Sequence, residues 1–310
     1  GRSAAGQSLG AVFPHLASLD LTIEAKLGEA DIVFSAMPHK ESAEVIIPLI
    51  KAGIKVVDIS ADFRLKDAEE YQRWYGFTHP APQLLPKAVY GLTELYRTQV
   101  AAAQLVANPG CYPTGAILAM APAVKEGIIK ADIIFDAKSG VSGAGRSLSL
   151  QTHFSEVNED VAAYALEGHR HLPEIIQELK LLGSEALSIT FVPHLIPMTR
   201  GILTTAYASL VPGKIPAGKK GEEELRQLYV DFYKDEPFIR VVDSPPHTKH
   251  TWGNNLCLIH PTIDQRTGKL IVISCIDNLV KGAAGQAIQN MNLMLGLPET
   301  TGLEALAIYP

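Results

Sequence analysis

A cysteine in a proline-punctuated turn is the first group in the sequence that could act as a nucleophile. Cys111 lies in the stretch "NPGCYPTGA", just before the apolar run "AILAMAPAV", which predicts a helix. A helix N-terminus stabilises negative charge, so a thiol held there is expected to ionise more easily. Because free cysteine is also commonly buried, a packing role for Cys111 is an equal alternative. Cys257 and Cys275 alternate within strand-like segments, and we expect both in the core.

The stretch "GHRHLPE" places two histidines beside an arginine, immediately before a second predicted helix. Pro173 suits the first turn of that helix. A helix N-terminus disfavours imidazolium, so His169 or His171 would stay neutral there and could act as a base. Glu174 could orient such a base or oppose it. An exposed, polar helix start is the alternative interpretation.

Two further stretches could bind anions or a flat ligand. The loop "SGVSGAGRS" combines three glycines with Ser139 and Arg146, and its flexible backbone could hold a phosphate or approach a ring. An ordinary Gly/Ser turn is the strong alternative. The stretch "FVPHLIPMTRG" places His194 and Arg200 at strand ends, where arginine suits a carboxylate or a phosphate.

The secondary structure predicted around these residues differs between the first and second halves of the chain. Strand–helix–strand spacing over residues 31–60 predicts a βαβ unit and a parallel sheet. The polar, aromatic segment 61–82 is expected to be a surface excursion. Beyond residue 130 strands outnumber helices, which favours an α+β domain with a mixed or antiparallel sheet. The predicted strands are 131–141, 187–197, 201–210, 254–263 and 269–277, and a closing helix is predicted over 279–297.

Composition narrows the class of protein. The 310 residues suit about two domains, and 47% hydrophobic with 19% charged residues fits a globular protein with a sizeable core. A net charge of −6 argues against nucleic-acid binding, and no apolar stretch is long enough to span a membrane. Three cysteines without CxxC spacing favour a reducing compartment, so we expect a cytoplasmic protein without a metal site. A cysteine with histidines elsewhere also fits a Cys–His hydrolase.

Taken together, the motifs resemble one family. The stretches "NPGCYPTGA", "SGVSGAGRS", "HRHLPEI", "HLIPMTRGI" and "DNLVKGAAGQAIQNMN" are similar to those of N-acetyl-gamma-glutamyl-phosphate reductase, a relative of aspartate-semialdehyde dehydrogenase. "SAMPHKESAE" and "VVDISADFRL" match its first domain, and the resemblance spans nearly the whole chain in order. It implies a Rossmann-type dinucleotide-binding domain over 1–110 and 279–310, completed by the C-terminal helix. It also implies a mixed-sheet catalytic and oligomerisation domain over 111–278, in a homodimer or homotetramer.

The resemblance further implies a chemistry in arginine biosynthesis. Cys111 would attack the acyl phosphate of N-acetylglutamyl 5-phosphate, phosphate would leave, and NADPH would reduce the thioester to the semialdehyde. His171 would be the acid/base group, with His169 beside the substrate as the alternative. The other residues implied at the site are Arg146, Glu174, His194 and Arg200 for the substrate, and Arg2, Ser3, Pro38, Ser139, Gly140 and Asn278 for NADP.

One feature departs from the family pattern. The family begins with a strand and a glycine-rich turn that holds the cofactor pyrophosphate, and nothing like it precedes Asp31. We therefore expect a chain truncated at its N-terminus by roughly 35–40 residues, about one βαβ opening. A non-catalytic fragment or homologue without the phosphate loop is the corresponding alternative function.

Overall fold

The computed structural model describes residues 4–183 and 186–309, and within them two sheets organise the chain. The first sheet has four parallel strands in the spatial order β1–β2–β4–β3. This parallel arrangement confirms the βαβ prediction. Its strands are β1 (Ile32–Ser35), β2 (Lys55–Asp58), β3 (Val89–Tyr90) and β4 (Leu105–Ala107). The helices that accompany it are α1 (Leu9–Val12), α2 (Glu41–Lys51), α3 (Ala68–Tyr75) and α4 (Thr93–Ala101).

Helix α2 illustrates how the local sequence sets the ends of an element. Glu41 and Glu44 lie in its first turn, where carboxylates interact favourably with the helix dipole. Its early N–H groups need partners from outside the helix, and the Asp62 carboxylate accepts the N–H of Ala43 at 2.9 Å. The helix continues through Pro48, and Gly53 then turns the chain with a φ of +82°.

The segment 61–82 is not the surface excursion that its composition predicts. Phe63, Leu65 and Tyr71 are buried against the first sheet and α2, and α3 begins at Ala68 within the segment. The Tyr71 hydroxyl donates a hydrogen bond to the carbonyl of Ala61, so the polar end of this aromatic side chain is satisfied inside the core. The aromatic residues of the segment therefore belong to the core beside the first sheet.

The second sheet is mixed and, in the described residues, has seven strands in the order β6–β7–β5–β8–β11–β10–β9. Strands β5 and β7 run parallel, whereas β5–β8, β8–β11 and β10–β11 are antiparallel. The five strands predicted from the sequence are all present. The strands are β5 (Ile129–Gly140), β6 (Ala162–Ala163), β7 (Ser188–Ile196), β8 (Ile202–Leu210), β9 (Ile239–Val241), β10 (Cys257–Asp264) and β11 (Lys269–Ile276). The helices are α5 (Cys111–Lys125), α6 (Phe154–Val157), α7 (Leu172–Leu182) and α8 (Lys219–Phe232).

Helix α5 joins the two halves of the molecule. Its residues from Tyr112 to Val124 are buried, and it packs on α7 and on β8 and β11 of the second sheet. It follows β4 directly through the turn 108–110. The N-terminus of α5 therefore lies where the two sheets meet.

The chain returns to the first sheet at its end, as predicted. A π-helix (Val280–Ala284) leads into α9 (Gly285–Met294). Ala287 and Met294 of α9 pack with Val57 of β2 and Val106 of β4. None of the helices in the described ranges has the length and apolarity that a membrane span requires.

Candidate active site

The turn Asn108–Cys111, called the cysteine turn below, is fixed by hydrogen bonds to three other elements. Gly110 is the N-cap of α5 and Cys111 its first residue. The Gly110 N–H donates to the carboxylate of Glu174 at 2.8 Å. The Asn108 side chain donates to the carbonyl of Ala283 at 3.0 Å, and the Asn108 N–H donates to the carbonyl of Asp58 at 2.8 Å. Contacts from α7, the π-helix and β2 therefore fix the position of the thiol.

Burial controls the state of the Cys111 thiol in the free protein. Although the residue is partly accessible to solvent, burial raises the pKa of Cys111 to about 11. The nearby Arg64 guanidinium and the first N–H groups of α5 act in the opposite direction and do not outweigh it. Burial thus opposes the effect expected from the helix N-terminus, because the protein interior solvates a thiolate poorly. Cys257 and Cys275 are buried, as predicted.

The two histidines lie together beside this turn. His171 is the N-cap of α7, and its N–H donates to Nδ1 of His169 at 3.0 Å. A methyl group placed on Gly110 would lie 2.7 Å from Nε2 of His171, so only glycine permits this approach. Within the described residues, no hydrogen-bond partner reaches Nδ1 of His171.

Both imidazoles are neutral near pH 7. Burial lowers the pKa of His169 to about 4, with a smaller contribution from the charge of Arg170. Burial also lowers the pKa of His171 well below 6.5, and His169, Arg64 and Arg170 add to the effect. The neutral state agrees with the sequence prediction, but its main cause is burial rather than the helix N-terminus. A neutral imidazole beside a protonated thiol can accept the thiol proton.

A cavity of about 520 Å³ opens in front of Cys111. Four segments form its walls. They are the cysteine turn, the turn 168–171 that carries the two histidines (the histidine turn), the end of β5 with the following glycine-rich loop, and the start of the π-helix. Of the residues predicted from the sequence, five line it: Cys111, Ser139, His169, His171 and Asn278.

The other predicted site residues in the described ranges lie outside this lining. Pro38 is exposed at the start of α2, and Gly140 packs against the backbone of Arg200. Arg146 lines a separate surface groove together with Leu148 and Phe154. Arg2 and Ser3 lie outside the described residues.

Three predicted substrate ligands lie close to protein groups. The Arg200 guanidinium lies 3.4 Å from the carboxylate of Asp277. Nδ1 of His194 lies 3.2 Å from the carboxylate of Asp136, but in the described residues the two atoms form no hydrogen bond. Glu174 is fully buried and does not face the cavity. Its carboxylate instead accepts hydrogen bonds from the Gly110 backbone and the Tyr90 hydroxyl. The Glu174 carboxylate therefore contacts the cysteine turn directly.

The structure adds residues that the sequence did not single out. Arg64 and Arg170 line the cavity, as do Tyr112 and Tyr164. Arg64 is buried, and its guanidinium donates to the carbonyl of Asn108 at 2.8 Å and lies 3.4 Å from Glu174. Its place shortly after β2 was an available signal, because ligands of parallel sheets bind beyond the carboxyl ends of strands.

Small residues leave room for a flat group beside Cys111. Gly143 and Ala144 line the cavity on the β5 side, and Gly282 and Ala283 line it on the π-helix side. Between them, the Asn278 side chain donates to Ser142 Oγ at 3.0 Å. This slot of the cavity thus combines small side chains with a polar pair. No group of three or more His, Cys, Asp or Glu side chains in the described ranges is arranged to hold a metal ion.

Comparison with known proteins identifies the class to which this fold belongs. A model described as "semialdehyde dehydrogenase, NAD binding domain" matches residues 1–103, and one described as "semialdehyde dehydrogenase, dimerisation domain" matches residues 111–278. The solved structure of aspartate semialdehyde dehydrogenase II complexed with ASA from Vibrio cholerae has a TM-score of 0.68 at 14% identity, covering 96% of this chain and 88% of that chain. Aspartate semialdehyde dehydrogenase with NADP from Candida albicans has a TM-score of 0.62 at 15% identity, covering 94% of this chain and 88% of that one. The protein is therefore an oxidoreductase of the semialdehyde dehydrogenase class, with a nicotinamide-nucleotide-binding domain.

Curated relatives make the assignment specific. The N-acetyl-gamma-glutamyl-phosphate reductase of Dehalococcoides mccartyi is 57% identical over 312 residues, which cover 100% of this chain and 90% of the relative. That of Heliobacterium modesticaldum is 51% identical over 321 residues, with the same coverage. The chain belongs to the N-acetyl-gamma-glutamyl-phosphate reductase family.

Proposed function

We propose that this oxidoreductase acts in arginine biosynthesis, reducing N-acetyl-L-glutamyl 5-phosphate to N-acetyl-L-glutamate 5-semialdehyde with NADPH and releasing phosphate. One observation carries the proposal: Cys111 and His171 line the same cavity, and Nε2 of His171 closely approaches Gly110, the residue before Cys111. A nucleophile and a neutral base in contact with one cavity are what covalent acyl transfer requires. The names of the relatives supply the substrate.

The first step is acyl transfer to the protein. Cys111 Sγ attacks the acyl carbon, a C–S bond forms, and the bond to the phosphate oxygen breaks. The thiol proton passes to Nε2 of His171, because this nitrogen faces the cysteine turn and the imidazole is neutral. The raised pKa of Cys111 makes this proton acceptor necessary at neutral pH. The N–H groups of the first turn of α5 stabilise the negative charge on sulfur during attack.

The second step is reduction of the thioester. When bound, the nicotinamide cofactor supplies the hydride that the thioester carbon accepts. Ser139 and Asn278, with the small residues on both sides of the slot, would hold its ring against Cys111. Breaking the C–S bond then releases the semialdehyde, and the proton held by His171 returns to sulfur. His169 supports the backbone at His171, since its Nδ1 accepts the His171 backbone N–H.

Charged groups at the cavity favour an anionic substrate. We assign the substrate phosphate and carboxylate to the neighbourhood of Arg64 and Arg170, which line the cavity, rather than to Arg146, His194 and Arg200. Arg64 is held by neighbouring groups and is therefore preorganised for an anion. The same proposal includes three further points. The cofactor is NADP rather than NAD, Arg2 and Ser3 contact it, and the chain divides into domains at 110/111 and 278/279. A reduced nucleophile favours the cytoplasm, and the match to a dimerisation domain supports a homodimer or homotetramer.

A coupled assay tests the proposal. The protein is supplied with N-acetylglutamyl phosphate and NADPH, and NADPH oxidation and phosphate release are followed together. We expect the two to be equal, and to be lost in Cys111→Ser but kept in the matched control Cys275→Ser, whose side chain is buried away from the cavity. Phosphate release at full rate without NADPH would instead support a Cys–His hydrolase. NADH that replaces NADPH with equal efficiency would overturn the cofactor assignment.

A further inference from the structure

Lys281 is a fully buried lysine in the π-helix (Val280–Ala284), which packs against Cys111. The proposed reaction does not use it. Lys281 is 0% exposed, and its Nζ donates to Glu94 at 2.5 Å and to Gln289 at 2.8 Å. Burial alone would raise the pKa of Glu94, but the charge of Lys281 together with the hydrogen bonds from Lys281, the backbone and Gln289 outweighs it, and the pKa lies below its ordinary value. The two side chains thus form an ion pair in the protein interior.

The π-helix that contains Lys281, called the π-turn below, contacts the cysteine turn. The N–H of Gly282 donates to the carbonyl of Asp277 at 2.9 Å, and the N–H of Ala284 donates to that of Leu279 at 3.0 Å, a five-residue spacing. Such π-turns are rare and occur frequently at functional sites. Lys281 therefore anchors a segment whose geometry is not that of an ordinary helix.

Consecutive residues of this turn face opposite ways. While Lys281 reaches into the interior, a methyl group placed on its neighbour Gly282 would lie only 2.8 Å from Cβ of Cys111. The next residue, Ala283, accepts the hydrogen bond from Asn108 that holds the cysteine turn. A shift of the π-turn would consequently move the groups that position the thiol.

The ion pair is part of a wider polar network. Gln289 also donates to Glu299 at 2.7 Å, and Arg97 links Glu299 to Glu236. The network thus joins α4, α9 and the segment that follows α8. A buried ion pair contributes little net stability compared with well-packed apolar residues, so stability alone does not account for it.

We propose that Lys281 is a positioning residue, whose ion pair with Glu94 fixes the π-turn so that Gly282 closes one side of the Cys111 thiol. The inference rests on the proposed role of Cys111 as nucleophile. Without the pair, the turn can relax towards ordinary helical spacing, and the thiol loses its defined surroundings. Misplacement of a reacting group by about 1 Å can reduce the rate about 100-fold.

The test uses Lys281→Met and the double variant Lys281→Met/Glu94→Gln in the full chain. Iodoacetamide alkylation of Cys111, followed by peptide mass spectrometry, reads the thiol directly, while turnover and melting temperature are measured in parallel. Lys281→Met leaves the buried Glu94 carboxylate without its partner, which is strongly destabilising, and the neutral double variant removes that charge. We expect the double variant to melt near the wild-type temperature, with kcat reduced about tenfold or more, KM within about threefold, and a Cys111 alkylation rate changed at least about threefold.

The control is Lys219→Met, which breaks an exposed ion pair with Glu223 on α8 and should leave all three readouts unchanged. A folded double variant with wild-type turnover and a wild-type alkylation rate would overturn the positioning role, and would leave the pair a purely structural one. Failure of the proposed function looks different. In that case the wild-type protein itself would not oxidise NADPH with N-acetylglutamyl phosphate, while the alkylation rates would still show whether Lys281 positions the thiol.

Discussion

The carboxylate of Glu174, on α7, accepts the backbone N–H of Gly110, one residue before Cys111, at a distance of 2.8 Å. This bond joins the histidine segment to the cysteine turn across 64 residues of sequence. The same carboxylate also lies 3.4 Å from the guanidinium of Arg64, so the Gly110 N–H and Arg64 share one buried anion. The arrangement explains how a nucleophile and a base on separate elements keep a fixed relation.

Replacing Glu174 with glutamine should destabilise the protein strongly. The substitution leaves the buried Arg64 guanidinium without its counter-charge, and breaking a buried pair in this way typically costs about 3–5 kcal/mol. Urea denaturation followed by circular dichroism measures the loss. Glu223→Gln is the matched control, since its ion pair on α8 is exposed and should contribute less than about 1 kcal/mol. Equal effects of the two variants would show that Glu174 is not essential to the turn.

The alkylation rate of Cys111 in the free protein should keep rising with pH. Because burial raises the pKa of Cys111 to about 11, the thiolate is a minor species at neutral pH. We expect roughly a tenfold increase in rate per pH unit from about pH 7 to about pH 10. Iodoacetamide labelling with peptide mass spectrometry measures it, with Cys275, whose pKa burial raises to about 12, as the slow internal control. A plateau below about pH 8 would contradict the burial argument and indicate a stabilised thiolate.

His171→Asn should lower turnover more than His169→Asn. Nε2 of His171 faces Gly110, whereas His169 acts on His171 through a hydrogen bond to its backbone. Loss of a general acid/base group typically reduces the rate about 100- to 10,000-fold. Single-turnover phosphate release separates this step from cofactor binding. The reverse ranking would transfer the proton-accepting role to His169.

Acid should destabilise the protein through these two histidines. Both have folded-state pKa values below the unfolded value of 6.5, so the unfolded chain binds more protons as the pH falls. Their contribution to stability is complete above about pH 6.5 and is lost for His169 as the pH falls towards about 4. Melting temperatures recorded across this range should fall less steeply in His169→Asn/His171→Asn than in the wild type. Identical slopes would mean that other groups dominate acid unfolding.

Gly168→Ala should disturb the histidine turn. Gly168 has a φ of +143°, and a methyl group there would lie 2.9 Å from the ring of Trp74 on α3. We expect lower turnover and lower melting temperature, since the clash pushes the turn away from α3. Gly213→Ala is the matched control, because Gly213 also has a positive φ, of +80°, but has no atom within 4 Å of the added methyl. A control that loses as much activity as Gly168→Ala would assign the effect to backbone strain alone.

Local signals predicted much of the fold and the centre of the site. Apolar runs between Gly and Pro residues identified the five long strands of the second sheet, and the turn around Cys111 and the histidine segment were visible as motifs. These features depend on neighbours in sequence. They were therefore accessible without tertiary structure.

The features that were missed or wrong depend on distant contacts. Nothing near Glu174 in the sequence shows that its carboxylate accepts the N–H of Gly110. The raised pKa of Cys111 follows from the packing of surrounding elements, which outweighs the local helix effect. The segment 61–82 reads as polar, yet Phe63 and Tyr71 are buried because the first sheet and α2 supply an apolar surface for them. Periodicity in such a short, mixed segment carries too little information to show this.

The most direct test of the account is a single-turnover experiment without cofactor. The protein is mixed with excess N-acetylglutamyl phosphate in the absence of NADPH, phosphate release is followed, and the chain is then digested for mass spectrometry. The account predicts a burst of about one phosphate per chain and an N-acetylglutamyl group attached at Cys111, which disappears when NADPH is added. The account would be contradicted if no burst occurred and the peptide containing Cys111 remained unmodified, with the acyl group absent or attached elsewhere.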